Sequence, residues 1–129
     1  MIFLDTNVIV RFVTGDDPVQ ARRARSLIET NEVFVTATVL LEAEWVLRAA
    51  YGFPAQRILG ALRGLLGLPN LHADALDRLD RALKWYQDGM DFAGAMHLAF
   101  SEEAESFATF DEKLVRRARQ IEAISVRVP

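Results

Sequence analysis

The sequence predicts an α/β protein, a three-layer α/β/α domain with a short, mostly parallel central sheet. Three observations carry that prediction. Short runs rich in β-formers recur along the chain, at residues 2–5, 33–35, 106–109 and 124–128. The stretches between them carry apolar residues at helical spacing, and the connections are short. Strands alternating with helices are joined by crossovers, which makes them parallel neighbours with helices on the sheet.

Each element has its own signal. Residues 2–5 read as a buried strand, after which Thr6-Asn7 starts a helix carrying Val8, Ile9, Phe12 and Val13. Gly15-Asp16-Asp17-Pro18 ends that helix and places a proline at the start of the next, over residues 18–30. After the strand at 33–35, Thr38 is placed to cap a helix over 39–51, with Val39, Ala43, Val46, Leu47 and Ala50 on one face. Gly52 ends it, and Pro54 opens a helix over 54–67 with the stripe Ile58, Leu62, Leu65, Leu66. Gly67-Leu68-Pro69-Asn70 breaks the chain before a helix over 74–88, which Gly89 terminates. A helix over 91–104, a strand over 106–109, a helix over 111–120 and a strand over 124–128 complete the order. No repeat, low-complexity run or linker divides residues 1–129, so one domain is expected.

Composition sets bounds on function. A chain of 129 residues is large enough to bury a core without covalent staples. The absence of cysteine excludes disulfides, thiolate metal sites and thiol catalysis. The opening residues lack the basic and long apolar regions of a signal peptide, and no apolar run nears the ~18 residues of a membrane span. A cytoplasmic protein without membrane association is the expectation. The net charge of −3 does not suit a general nucleic-acid binder. Yet only Lys84 and Lys113 of the 15 basic residues are lysines. The clusters Arg22, Arg23, Arg25 and Arg116, Arg117, Arg119 are candidate phosphate-facing patches, though solvated faces of amphipathic helices explain them as well.

Four acids stand where an element begins or among apolar helical neighbours: Asp5, Glu42, Asp91 and Asp111. A desolvated carboxylate is costly unless a cation or a donor answers it, and a converging set of four makes an oxygen-ligand site for Mg²⁺ or Mn²⁺. Asp5 and Asp111 each follow a strand, at the sheet edge where sites form in parallel sheets. Helix N-capping alone also accounts for Asp5, Asp91 and Asp111. Glu42 shares a helical face with Trp45 and Val46, whereas Glu44 points elsewhere. Thr6 and Thr109 each adjoin an edge aspartate, where a hydroxyl can bond a carboxylate, and Asn7 is placed to orient Asp5. His97, six positions on from Asp91, could support the site or contact RNA, but on an otherwise apolar helix it reads first as a satisfied core residue. Trp45, Tyr51 and Phe53 are candidates for a partner groove, with core packing the plainer use of each.

The set Asp5-Thr6-Asn7, Leu40-Leu41-Glu42, Asp91-Phe92-Ala93-Gly94-Ala95-Met96-His97-Leu98-Ala99 and Thr109-Phe110-Asp111 resembles the PIN domain family. Within it, the likeness is to the VapC-type toxins of toxin–antitoxin modules, over essentially the whole chain. That resemblance implies a PIN-like fold and a Mg²⁺-dependent endoribonuclease, with Mn²⁺ as substitute. It also implies a homodimer and inhibition by a cognate VapB-type antitoxin. Asp5 and Asp111 would be metal ligands, Glu42 a third acid that binds the metal directly or through water, and Asp91 would lie in the segment that supplies the last.

One position departs from the family pattern. Gly94 stands where the family commonly has a second aspartate, one turn after Asp91. A glycine removes a ligand there and weakens the helix by up to ~1 kcal/mol, with no folding requirement for it visible in the sequence. Either Asp91 takes over the ligand role, or the site is weakened and the domain binds antitoxin or RNA without cutting. A metal-assisted phosphatase is a further reading, but no Gly-rich or Lys-bearing phosphate loop follows Asp5.

Overall fold

The computed structural model describes residues 1–121 and 124–129, which form two compact units, Met1–Ala75 and Leu76–Pro129. The first unit runs β1 (Ile2–Phe3), α1 (Thr6–Thr14), α2 (Pro18–Thr30), β2 (Val33–Val35), α3 (Ala37–Ala49), α4 (Ala55–Leu66) and β3 (Leu71–Ala73). The second contains α5 (Leu76–Gln87), α6 (Phe92–Ala99), β4 (Ser106–Ala108), α7 (Glu112–Gln120) and β5 (Ser125–Arg127). This is a helix-rich α/β fold with short parallel sheets, as the strand–helix alternation predicts.

In the first unit the sheet order is β1-β2-β3, with Ile2 beside Val33 and Val33 beside Leu71. Alternation sends Val33 and Val35 to the buried face with Leu4 and Leu71, while Ile2 in the same row is exposed at its edge. The other row, Phe3, Phe34 and His72, is partly open: Phe3 is 64% exposed and stacks on Phe34 at 4.4 Å between ring centroids. α1 packs on α2 and α3, and α4 on α3 and β3. Ile9, Ile28, Leu40, Leu47, Ile58, Leu62 and Leu65 form the inner layer.

β3 has no counterpart among the predicted strands. Its residues Leu71, His72 and Ala73 include only one strong apolar signal, so pairing with β2 rather than propensity makes the strand. The cap of α3 is Thr36, whose Oγ1 accepts from Val39 N, rather than Thr38. The two hydroxyls lie 3.0 Å apart, and the residue nearer the end of β2 wins the capping position.

In the second unit β4 and β5 pair in parallel, forming a sheet separate from β1-β2-β3. α5 packs on α6, with Tyr86 edge-on to Phe92 at 5.2 Å, and Leu79, Leu83, Leu98, Leu114 and Val115 are buried. α6 ends at Ala99, five residues before the predicted end at 104. Ser101 Oγ donates to His97 O at 2.6 Å, and Glu102 and Glu103 turn back onto Arg78 of α5, with Arg81 also on Glu102. Those bonds consume the residues that would have continued the helix. No helix among the described residues is long and apolar enough to cross a membrane.

Candidate functional site

Asp5 follows β1 directly and holds the N-cap position of α1, with extended backbone at φ −82° and ψ 160°. An aspartate there ordinarily accepts an N–H of the helix's first turn. Asp5 makes no such bond, and its side chain is exposed. The next residue, Thr6, is 4% exposed and its Oγ1 has no hydrogen-bond partner. A buried hydroxyl left unpaired costs about 1–3 kcal/mol. An uncommitted carboxylate and an orphan hydroxyl thus occupy consecutive residues at the carboxyl end of β1. Asn7, exposed, lines an open groove of about 390 Å³ between α1 and α2 with Val8, Gln20, Arg23, Ala24 and Leu27.

Glu42 lies in the second turn of α3 and is exposed, on the same stripe as Thr38, Trp45 and Ala49. The expectation that it sits on the apolar face is therefore corrected. The buried acid of this helix is Glu44, 3% exposed, held by Arg48 Nε at 2.9 Å. Leu40, Ala43 and Leu47 flank Glu44 on the inner face. Apolar residues surround the helix on almost every side, so hydrophobicity alone does not reveal which side faces inward. Trp45 is 58% exposed, whereas Tyr51 and Phe53 are half-buried. Tyr51 donates its hydroxyl to Asp16 at 2.5 Å and accepts from Arg11, while Arg57 stacks over Phe53 at 3.6 Å.

In the second unit Asp91 and Asp111 are true N-caps. Asp91 Oδ2 accepts Gly94 N at 3.0 Å, and Asp111 Oδ1 accepts Leu114 N at 3.1 Å. Each carboxylate spends one oxygen on the cap and keeps the other. The two capped turns lie side by side, because a Cβ placed on Gly94 would stand 3.0 Å from Leu114 Cδ1. The same Cβ would stand 2.8 Å from Asp91 Oδ1. Both atoms are the ends of side chains that can turn aside, so a Cβ at 94 would displace Leu114 and the Asp91 carboxylate without meeting backbone, and packing alone does not require the glycine. Thr109 Oγ1 accepts from Asp111 N at 3.0 Å, so its hydroxyl holds the backbone of Asp111 and not its carboxylate.

His97 is exposed and lies parallel to Phe107 at 6.2 Å, rather than buried in the core. Phe110 escaped sequence reasoning, and Arg117, expected in a phosphate-facing patch, is instead engaged with the turn after α5. Arg117 donates to Asp88 O at 3.1 Å and packs against Gly89, whose φ of +105° shapes the turn leading to Asp91. Phe110, between Thr109 and Asp111, is 78% exposed. The signal for Phe110 was an aromatic ring set among polar neighbours.

Within its own unit each candidate is thus placed: Asp5, Thr6 and Asn7 at the start of α1, with Glu42 on the α3 that packs against it, and Asp91, Gly94 and Asp111 at the adjoining starts of α6 and α7. Among the described residues no group of three or more His, Cys, Asp or Glu is gathered to hold a metal.

A family model for the PIN domain matches residues 2–120, from β1 through the end of α7. The chain belongs to the PIN domain family. PIN domains are generally nucleases that act on RNA and typically use divalent metals such as Mg²⁺. No individual curated protein matches this PIN domain closely enough to add a relative. Its donor chemistry fits such a metal: the candidates are carboxylate oxygens, hard ligands suited to Mg²⁺ or Mn²⁺, and no thiolate is present.

Proposed function

We propose that this PIN domain is a Mg²⁺-dependent endoribonuclease, the toxin of a toxin–antitoxin pair, with Asp5, Glu42, Asp91 and Asp111 as its acids. The observation that carries the proposal is Asp5, an N-cap aspartate that does not cap. At that position a bond to the helix is available, and the carboxylate forgoes it beside the unpaired Thr6 hydroxyl. Asp91 and Asp111 support the same reading, since each caps with one oxygen and leaves one to bind.

When bound, the cation supplies Lewis acidity and offsets charge on the scissile phosphate. The chain's own residues do the rest. Asp5, Asp91 and Asp111 would hold the cation. Glu42, exposed on α3, would join them directly or through water, and the acids supply the base that takes the proton of the attacking water. Water adds to phosphorus as the bond to the leaving ribose oxygen breaks, and that oxygen is protonated from solvent. Thr109 keeps Asp111 in place through its backbone bond. Exposed arginines on α2 and α7 hold the RNA backbone, so target choice rests on RNA shape and unpaired bases. A cognate antitoxin is the partner in this reading. A homodimer and a cytoplasmic setting complete this reading.

Gly94 favours a second reading, a PIN domain that binds RNA or antitoxin without cutting, because an acid common in the family is missing. Against it, Asp91 spends only Oδ2 on the cap and keeps its other carboxylate oxygen for a ligand role. Cleavage of a structured RNA in Mg²⁺ separates the two. The proposal expects cutting by the wild type, lost in chelator and reduced at least 100-fold in Asp5→Asn. Absence of cutting by the wild type in both Mg²⁺ and Mn²⁺ would establish the binding module instead.

A further inference from the structure

Two glycines, Gly89 and Gly94, bracket Asp91 along the chain, and one face of α7 lies against both. Leu114 and Arg117, one helical turn apart, make those contacts. A Cβ on Gly94 would stand 3.0 Å from Leu114 Cδ1, and one on Gly89 would stand 3.0 Å from Arg117 Nη1. The Gly89 Cβ would also meet Arg117 Nη2 at 3.2 Å and Cζ at 3.3 Å, so the guanidinium plane lies across the glycine.

Gly89 is where the chain leaves α5. Gly89 N donates to Tyr86 O at 3.1 Å and Met90 N to Trp85 O at 3.0 Å. This pair of bonds closes a helix C-terminus through a residue of positive φ, here +105° at Gly89. The carbonyl of Asp88, past the last helical residue, has no partner within α5. Arg117 Nη1 donates to it at 3.1 Å, placing a cation at the negative end of that helix. Arg117 also shares a small cleft with the buried Trp85 and Met90. Its side chain is half-buried, whereas Arg116 and Arg119 are exposed. Two residues after Gly89 comes Asp91, whose extended backbone at φ −64° and ψ 148° starts α6.

We infer that Arg117 is a positioning residue that ties α7, which begins after Asp111, to the turn that delivers Asp91, and so sets the separation of the two carboxylates. This rests on the proposed metal site and adds to it the residue that holds two of its acids in place. It also divides the arginine cluster of α7, leaving Arg116 and Arg119 for the RNA backbone. Lysine is an incomplete substitute, because an ammonium reaches a carbonyl but has no plane to lay across Gly89.

The test is a Mn²⁺ titration followed by electron paramagnetic resonance, with binding of a labelled oligoribonucleotide measured separately in chelator by fluorescence anisotropy. Each protein is held well below its melting temperature, so that only folded protein is compared. Arg117→Ala should bind Mn²⁺ about 3- to 10-fold more weakly than wild type, less than the loss from removing a group bonded directly to a ligand. Its RNA affinity in chelator should stay unchanged. Arg116→Ala should do the reverse, with weaker RNA binding, a shallower salt dependence and unaltered Mn²⁺ affinity. Arg117→Lys should fall between wild type and Arg117→Ala. If the alanine variant does not fold, the lysine variant carries the test, and wild-type Mn²⁺ affinity in it overturns the inference.

Equal Mn²⁺ affinity in wild type and Arg117→Ala overturns the inference even where the variant melts lower, since the arginine then only stabilises the fold. A loss of RNA binding as large as that of Arg116→Ala makes Arg117 a phosphate contact and also overturns it. Asp91→Asn separates this failure from that of the metal-site reading. If Asp91→Asn binds Mn²⁺ as wild type does, Asp91 is no ligand and both fall. If it binds more weakly and Arg117→Ala does not, the inference falls alone.

Discussion

A carboxylate at a helix start has two competing uses, and at the scale of single residues this chain divides them. Asp91 and Asp111 cap their helices through one oxygen each, whereas Asp5 occupies the same kind of position and caps nothing. Substitution can therefore separate structure from chemistry at Asp91. Asparagine caps as well as aspartate, while alanine does not. Asp91→Asn should keep the melting temperature of the wild type and lose RNA cleavage. Asp91→Ala should lose cleavage and in addition about 0.5–2 kcal/mol of stability. Denaturation curves beside a cleavage assay check this, and equal activity in Asp91→Asn would remove Asp91 from the site. Gly94 belongs to the same argument, since a side chain there would press on the ends of Leu114 and Asp91.

Elements are positioned by bonds that sequence periodicity does not reveal. Tyr51, just beyond α3, reaches Asp16 in the turn between α1 and α2, and Arg11 and Thr14 join the same cluster. The Tyr51 hydroxyl, with help from Thr14 and Arg11, holds the Asp16 carboxyl below its ordinary value of 3.8. A lowered folded-state pKa gives stability that is present above 3.8 and is lost as pH falls through the folded value. Tyr51→Phe should therefore melt lower than the wild type at pH 7, with the gap closing as the pH is taken below that range. A gap of constant size down to pH 2 would mean that the bond does not act through Asp16 ionisation. The sequence did reveal most helices: Pro18, with Asp17 as cap, fixes α2, and Gly89 ends the turn after α5. It did not reveal β3, which exists through pairing with β2, nor the early end of α6, which Ser101, Glu102 and Glu103 decide through bonds to other residues.

For the whole molecule, family membership was legible because acids with their neighbouring hydroxyls and apolar residues fall in a fixed order from Asp5 to Asp111, and the PIN match spans residues 2–120. What each acid does locally was not legible. Glu42 and Glu44 differ by two positions on a helix crowded with apolar residues, and only packing shows that Glu44 is inside and Glu42 outside. Likewise, Asp5, Asp91 and Asp111 look alike as residues following a strand or turn, and only hydrogen-bond geometry separates the one that does not cap. The central claim is that Asp5 withholds its carboxylate from α1 in order to bind a cation. Mn²⁺ titration followed by electron paramagnetic resonance, on wild type and Asp5→Asn, tests it most directly. The account predicts saturable binding by the wild type and at least tenfold weaker binding by Asp5→Asn, at an unchanged melting temperature. Equal Mn²⁺ affinity in the two proteins would contradict it.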